Sequence, residues 1–388
     1  MKIKTFIKLG DICDISAGQG APQGDSNYCD NGTPFVKAGN LIELLQGKNE
    51  TDIQKVSEDV AKKHKLKKYT AGSILFAKSG MSCMKGYVYQ LKNDSYVVSH
   101  LAIVKPIKDS SDYIEYCLRH IKPNSLVKDE AYPSISLQDI SNLKIPLPSL
   151  EEQIKISKQL YICTQIINKH KKQLERYDTL IKSRFIEMFG TLNNNNYDIV
   201  KIGDVCSLIK DGTHQTPNYT DNIENGFKFL SSKDIMTKKI DWTNIKYIPG
   251  DLHEKLYSTI KPQRNDILMS KNGVNYGVAA VNDTDEIFDI YVSLALLRPT
   301  KLINPVFFRC VINSQETKIQ FDRSIKGIGV PNLHLSEIKK TKIILPPLTL
   351  QNKFADFVQQ IDKSKFAVQK SLEKAETLYK SLMQEYFA

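Results

Sequence analysis

Gly10-Asp11-Ile12-Cys13 returns as Gly203-Asp204-Val205-Cys206, 193 residues further along, and this recurrence decides how the chain is organised. At the same spacing Lys78-Ser79-Gly80 returns as Lys271-Asn272-Gly273, Leu101-Ala102 as Leu294-Ala295, and Pro106 as Pro299. Between Pro106 and Pro133 the spacing widens to 198; from there Leu137-Gln138-Asp139-Ile140 matches Leu335-Ser336-Glu337-Ile338, and Leu150 to Gln153 matches Leu348 to Gln351. The wider register runs without a gap to Phe189 and Phe387. A period this long excludes a solenoid. It reads as a duplicated domain, and a duplicated domain suggests a two-part target.

Each copy has two parts. Residues 1–149 and 195–347 are of mixed α/β (α+β) character, with short β-rich runs such as Tyr87-Val88-Tyr89 and Tyr96-Val97-Val98 between turns. Helices are interleaved, one starting near Asn304-Pro305 and its counterpart near Ser111-Asp112, each with a capping residue. The second part, 150–190 and 348–388, follows the proline stops Ile145-Pro146-Leu147-Pro148 and Leu345-Pro346-Pro347. Leu160, Ile167, Leu174, Ile181 and Met188 recur every seven residues, as do Phe354, Ile361, Val368, Ala375 and Leu382. Sustained heptad spacing predicts a coiled coil, and forty residues of helix span roughly 60 Å. The expected fold is two globular domains joined by two long helices in an antiparallel coiled coil, a pseudo-twofold internal repeat. The two heptad rows are out of register, since Ile167 matches the polar Lys365, which predicts a seam that shifts between copies. Gly190 to Asn196 is a polar break and marks the domain boundary.

A net charge of +11 favours a polyanionic partner, and fits equally a soluble protein that happens to be basic. The densest basic run, Lys62-Lys63-His64-Lys65-Leu66-Lys67-Lys68, reads either as a solvated helix face or as a backbone-binding patch. Seven cysteines without a CxxC pair argue against a disulfide framework or a zinc ribbon and fit a reducing cytosol. Met1 to Leu9 has no continuous apolar core, unlike a signal peptide, and no transmembrane run occurs, so a cytoplasmic protein is expected. No GxxxxGK[ST] loop or HExxH pair is present. Asn304-Pro305-Val306-Phe307 resembles the Asn-Pro-Pro-aromatic motif of amino-methyltransferases, yet reads as a helix cap. Lys326-Gly327-Ile328-Gly329 reads as a turn. A duplicated basic chain with no reaction centre points to a binding module. The alternatives are a coiled-coil scaffold with incidental charge, or a stand-alone DNA methyltransferase or nuclease.

The proline stop with Leu150-Glu151-Glu152-Gln153 resembles the "iPLPpLeEQ" signature of type I restriction–modification specificity (S) subunits; Leu348-Thr349-Leu350-Gln351 is a looser match without the glutamates. Leu9 to Cys13 and Ile202 to Cys206 resemble the family's "lGdi" start, and Asp211-Gly212-Thr213-His214-Gln215-Thr216-Pro217 its "DGtHxTP" loop. Gly72 to Gly80 and Asn265 to Gly273 resemble its "GDIlfskdG" segment. The first copy departs by having Ala17-Gly18-Gln19-Gly20-Ala21-Pro22 in place of the DGTH loop. The resemblance implies that the globular parts are target-recognition domains, each reading part of a bipartite site in double-stranded DNA. It implies that the helices set the half-site spacing and dock two methyltransferase subunits, with restriction/translocase subunits as further partners. The chain itself would be non-catalytic and hold no cofactor, S-adenosylmethionine residing on the methyltransferase subunits. Expected DNA-facing residues are Lys78, Ser79, Lys85, Lys271, Asn272 and Asn275 in matching loops, with Lys210, Thr213, His214, Gln215 and Thr216 in the DGTH loop. Lys and Arg suit phosphate, base edges call for Arg or Lys at guanine and Asn or Gln at adenine, and the recurring Lys-(Ser/Asn)-Gly reads as phosphate positioning rather than sequence reading. The Lys-(Ser/Asn)-Gly pair has a structural reading too, a hairpin turn with glycine at positive φ. Leu160, Ile167, Leu174, Ile181, Phe354, Ile361, Val368 and Leu382 are the expected coiled-coil and methyltransferase-docking positions.

Overall fold

The duplication is repeated strand for strand in a computed structural model, which describes residues 5–325 and 329–388. In the first copy the strands Cys13–Ala17, Leu101–Pro106, Ile74–Ala77 and Val88–Gln90 lie side by side in that order, all antiparallel. In the second copy Cys206–Asp211, Leu294–Pro299, Ile267–Ser270 and Ala279–Val281 do the same. A three-stranded sheet accompanies each, with Thr33–Val36 or Phe227–Leu230 in the middle. The central strands are buried along their length, as near-continuous apolar runs such as Ile74-Leu75-Phe76-Ala77 require. A two-stranded clasp ties the start of each copy to the stretch before its long helix: Phe6–Lys8 with Lys144–Pro146, and Asp198–Lys201 with Lys342–Leu345. The fold is therefore mixed α/β with two repeats. The copies differ in length after the capped helices Ser111–Ile121 and Pro305–Ile312. There the second copy inserts a helix, Gln315–Ser324, where the first has a short 3₁₀ turn, Pro123–Leu126.

Leu150–Phe189 and Leu348–Phe387 are unbroken helices of 40 residues each. Two compact units arise that do not follow chain order: residues up to 171 together with 370–388, and residues 172–369. Each long helix contributes one half to each unit, so the polar break at Gly190 to Asn196 lies inside the second unit rather than between the two.

Within each unit the helix halves run antiparallel. In the first, the Tyr386 hydroxyl donates to Gln159 Oε1 at 2.7 Å, and Lys171 pairs with Glu376 at 2.9 Å. In the second, Lys365 pairs with Asp178 at 2.7 Å, and the Phe185 and Phe354 rings lie 5.5 Å apart. Leu160 and Phe354 are buried, while Ile167, Leu174, Ile181, Ile361, Val368 and Leu382 are half-buried. The expected shift of the seam does not occur. The row matching Leu160 in the second helix, Val358, Lys365 and Leu372, also turns away from solvent. Lys365 fits there because its ammonium ends on Asp178 while its stem is largely covered.

A glutamine fastens each long helix to its own globular part. Gln153 is buried; its Oε1 accepts from the Ser110 N–H at 3.0 Å, and its Nε2 donates to Asp109 Oδ1 and the Pro148 carbonyl at 2.8 and 3.1 Å. Gln351 accepts from the Asn304 N–H at 2.8 Å and donates to the Leu302 and Pro346 carbonyls at 3.2 and 2.7 Å. Each amide thus holds the N-terminus of the capped helix against the proline stop. The far end of the other long helix closes the same unit. Phe387 packs on Tyr113 at 5.4 Å in the first unit, and its repeat partner Phe189 packs on Phe307 at 5.1 Å in the second. All four rings are buried, each contributing about 1.5–3 kcal/mol of burial.

Candidate nucleic-acid interface

Lys78 and Lys271 each directly follow the third strand of their sheet, and backbone geometry sets both identically. The Lys78 N–H donates to the His100 carbonyl and the Lys271 N–H to the Ser293 carbonyl, each at 2.9 Å. Their own carbonyls accept from Ile135 and Leu333, both at 2.8 Å. The next glycine takes positive φ, +74° at Gly80 and +82° at Gly273, which suits glycine. Neither is a tight hairpin turn, however. Each loop is wide, running to Val88 or Ala279, and its tip bonds to a third segment: Gly80 N–H to the Pro133 carbonyl at 2.9 Å, and Gly273 N–H to the Pro331 carbonyl at 3.0 Å.

The DGTH loop arrives at the same place. Asp211 ends the edge strand opposite Ala295, and in the first copy Ala17 ends it opposite Ala102. The following glycine lies against the neighbouring backbone in both: an added Cβ would fall 2.2 Å from the Val97 carbonyl at Gly18, and 2.1 Å from the Ile290 carbonyl at Gly212. Glycine is required there in each copy, whereas the residue before it is free to differ.

That residue decides the electrostatics. Asp211 Oδ2 lies 2.8 Å from Lys271 Nζ and 3.3 Å from His214 Nε2, and Lys271 is buried. Partial burial pushes the Asp211 carboxyl up, but the bond and charge of Lys271, with His214, outweigh it and hold the group below the ordinary carboxylate range. Lys271 is therefore consumed inside the loop and is not presented to solvent. Lys78 has Ala17 where Asp211 would be, and among the described residues no carboxylate pairs with it. Sequence reasoning named both loops of the second copy but had no means of seeing them meet.

Around Lys78 the first copy gathers further polar groups. Ser79 Oγ shares a hydrogen bond with His100 Nδ1 at 2.8 Å. Gln19 Nε2 donates to the Lys65 carbonyl at 2.7 Å, and its Oε1 accepts from the Lys67 N–H. The basic run is a helix, Glu58–Lys63, followed by a turn whose Lys65 has φ +54°. Lys62, Lys63, Lys65, Lys67 and Lys68 are exposed, and Gln19 ties them to the loop that replaces DGTH. Lys85 is exposed at the end of the 3₁₀ turn Met81–Lys85.

In the second copy His214, Gln215 and Thr216 are exposed, and Thr213 Oγ1 accepts from the Gln215 N–H at 3.2 Å. Lys210 turns aside to donate to the Thr259 carbonyl at 3.2 Å. Asn272 Oδ1 is buried without a hydrogen-bond partner among the described residues, and Asn275 is exposed. The inserted helix braces this loop, the Tyr276 hydroxyl donating to Asp322 Oδ1 at 2.6 Å. Asn304 caps its helix, Oδ1 accepting from the Val306 and Phe307 N–H groups at 2.9 and 3.2 Å. Of the segment 326–329 only Gly329 is among the described residues, so the turn expected there lies largely outside them. No helix among the described residues is long and apolar enough to cross a membrane.

Comparison with known proteins bears on the family and the fold. Residues 1–176 and 194–376 each match the model of the type I restriction modification DNA specificity domain family. The chain is 23% identical over 332 residues to the type I restriction enzyme MjaVIII specificity subunit of Methanocaldococcus jannaschii, covering 81% of this chain and 75% of that protein. It is 24% identical over 383 residues to the MjaIX specificity subunit of the same organism, covering 91% and 85%. A solved type I restriction–modification S subunit from M. genitalium superposes with a TM-score of 0.63 at 14% identity, over 99% of this chain and 96% of that one, a likeness of fold.

Proposed function

The chain belongs to the type I restriction modification DNA specificity family, and from that we propose that it is the subunit that selects the DNA sequence of a type I complex. Each globular repeat reads one half of a bipartite target. The observation that carries this reading is the separate family match of two repeats that share a topology yet differ at Ala17 and Asp211. Two readers on one frame suit two different half-sites.

The chain is the recognition component and transfers no methyl group. Methylation of adenine belongs to methyltransferase subunits that hold S-adenosylmethionine, two of them docked on the antiparallel helices, and restriction belongs to a further nuclease/translocase subunit. Lys78, Lys85 and the exposed lysines from Lys62 to Lys68 face phosphate, while Ser79, His214, Gln215 and Thr216 offer donors and acceptors to base edges.

The test is co-expression with methyltransferase subunits followed by methylome sequencing. A two-part motif with an unspecified spacer is expected, together with a complex holding two methyltransferase subunits per chain. A contiguous motif, or methyl transfer by the purified chain alone, would overturn the reading.

A further inference from the structure

Met81, Tyr132, Val274 and Val330 are the most solvent-exposed large apolar side chains among the described residues, at 69%, 82%, 82% and 80%. Single exposed apolar residues are ordinary, but these are not scattered. Met81 and Val274 are repeat partners at the 193 spacing, and Tyr132 and Val330 at the 198 spacing. In each copy the pair flanks one backbone junction. Met81 follows Gly80 and Tyr132 precedes Pro133, where glycine and proline bond; Val274 follows Gly273 and Val330 precedes Pro331, where the same bond recurs. The junctions are held by bridges between Ser79 and Ser134 and between Asn272 and Asn332. The four side chains therefore stand on fixed backbone, two per domain, on and beside the loops that begin at Lys78 and Lys271.

Resting on the specificity-subunit reading, we propose that these side chains are apolar prongs that enter a groove of the target and contact base edges, Met81 and Tyr132 at one half-site and Val274 and Val330 at the other. The polar side chains of the adjoining loops, with Lys78 in the first copy, argue for DNA as the occupant. Lys78 lies three residues before Met81, in a loop that Ser79 bonds to His100, and the exposed Asp129 and Glu130 precede Tyr132; in the second copy Asp211 joins the loop of exposed His214, Gln215 and Thr216 to Lys271, three residues before Val274. Cationic and polar groups suit the phosphates and polar base edges that border a groove. An uncharged apolar tip finds no partner on a phosphate; it fits a thymine methyl or the face of a base. Tyr and Met in one copy against Val and Val in the other give the two readers different reach and shape.

The test uses the full chain in complex with methyltransferase subunits and a duplex library randomised in both half-sites. Met81→Ser with Tyr132→Ser should relax selection at one half-site by about five- to a hundred-fold, the range of one misread base pair, and leave the other untouched. Val274→Ser with Val330→Ser should do the reverse. Neither pair should change thermal stability, the salt dependence of binding, or recovery of the methyltransferase subunits. Unchanged selection at both half-sites overturns the proposal, and loss of methyltransferase recovery would assign the prongs to that protein instead. A uniform loss of affinity across all sequences also overturns it. A wild-type complex without any sequence preference sinks the specificity reading itself and the prongs with it, an outcome distinct from selective wild type and unaltered variants.

Discussion

The loop beginning at Lys78 and the loop beginning at Lys271 leave the same strand of the same sheet and bond the same way to a proline segment, yet their cations have opposite fates. Lys271 is buried on Asp211, while Lys78, with Ala17 at the matching place, meets no carboxylate among the described residues. The second loop is also braced by Tyr276 on Asp322, from a helix the first copy lacks. The backbone is held constant by positions where little else fits, such as Gly18 and Gly212. The side chain one residue earlier is free to set the charge. A duplicated reader can diverge in this way without unfolding: the frame is shared and the electrostatics of the tip are not.

If the frame is shared, breaking it must cost the same in either copy. Gln153→Leu and Gln351→Leu each remove a buried amide and strip three partners, most of them half-buried, of a hydrogen bond. We expect each to lose roughly 2–4 kcal/mol, the cost of leaving such groups unsatisfied, measured by chemical denaturation. A large loss in one copy with none in the other would break the comparison at its common half.

The next test strikes the difference. Asp211→Asn leaves the buried Lys271 ammonium without its counter-charge and should cost about 2 kcal/mol, below the figure for a fully buried pair because Asp211 is partly exposed. Lys78→Met should stay within about 0.5 kcal/mol of wild type. The sign of the pH dependence follows from the lowered Asp211 carboxyl. Its stabilisation is present above the unfolded value of about 3.9 and is lost as pH falls through the lower folded value. Wild type and Asp211→Asn should therefore converge in melting temperature as pH drops below about 4. A constant gap would mean that Asp211 acts by packing rather than by charge.

Much of this frame was legible in the sequence. The widening of the spacing between Pro106 and Pro133 located the difference in length, which the structure shows to be an inserted helix, and the proline stops located both long helices. What could not be read were contacts between distant segments. Nothing in the spacing of Asp211 and Lys271 says that one neutralises the other, because the ion pair is made by strands that are adjacent only in the folded sheet. The seam failed for a related reason. Lys365 looks polar in a heptad table, but a lysine stem can line an apolar seam while its charge ends on Asp178 of the facing helix. Gln153 and Gln351 were visible as matched letters; only the fold gives them the role of fastening each helix.

The smallest effect is the sharpest on function. A lysine that neutralises a phosphate contributes about 0.9 to the slope of log affinity against log salt. Lys78→Ala should lower the slope for the assembled complex by about that amount, so that its deficit relative to wild type shrinks about 3.5-fold between 50 and 200 mM salt. The paired variant Asp211→Asn with Lys271→Met removes the buried cation together with its counter-charge, keeping that copy folded, and should leave the slope where it was. Ala17→Asp should imitate the second copy in the first, capturing Lys78 and lowering the slope as Lys78→Ala does. If the Asp211/Lys271 variant lowers the slope as much as Lys78→Ala, then the ion pair opens when DNA arrives. The two loops would then differ only in the free protein, with Asp211 acting as a stand-in for phosphate until the target displaces it.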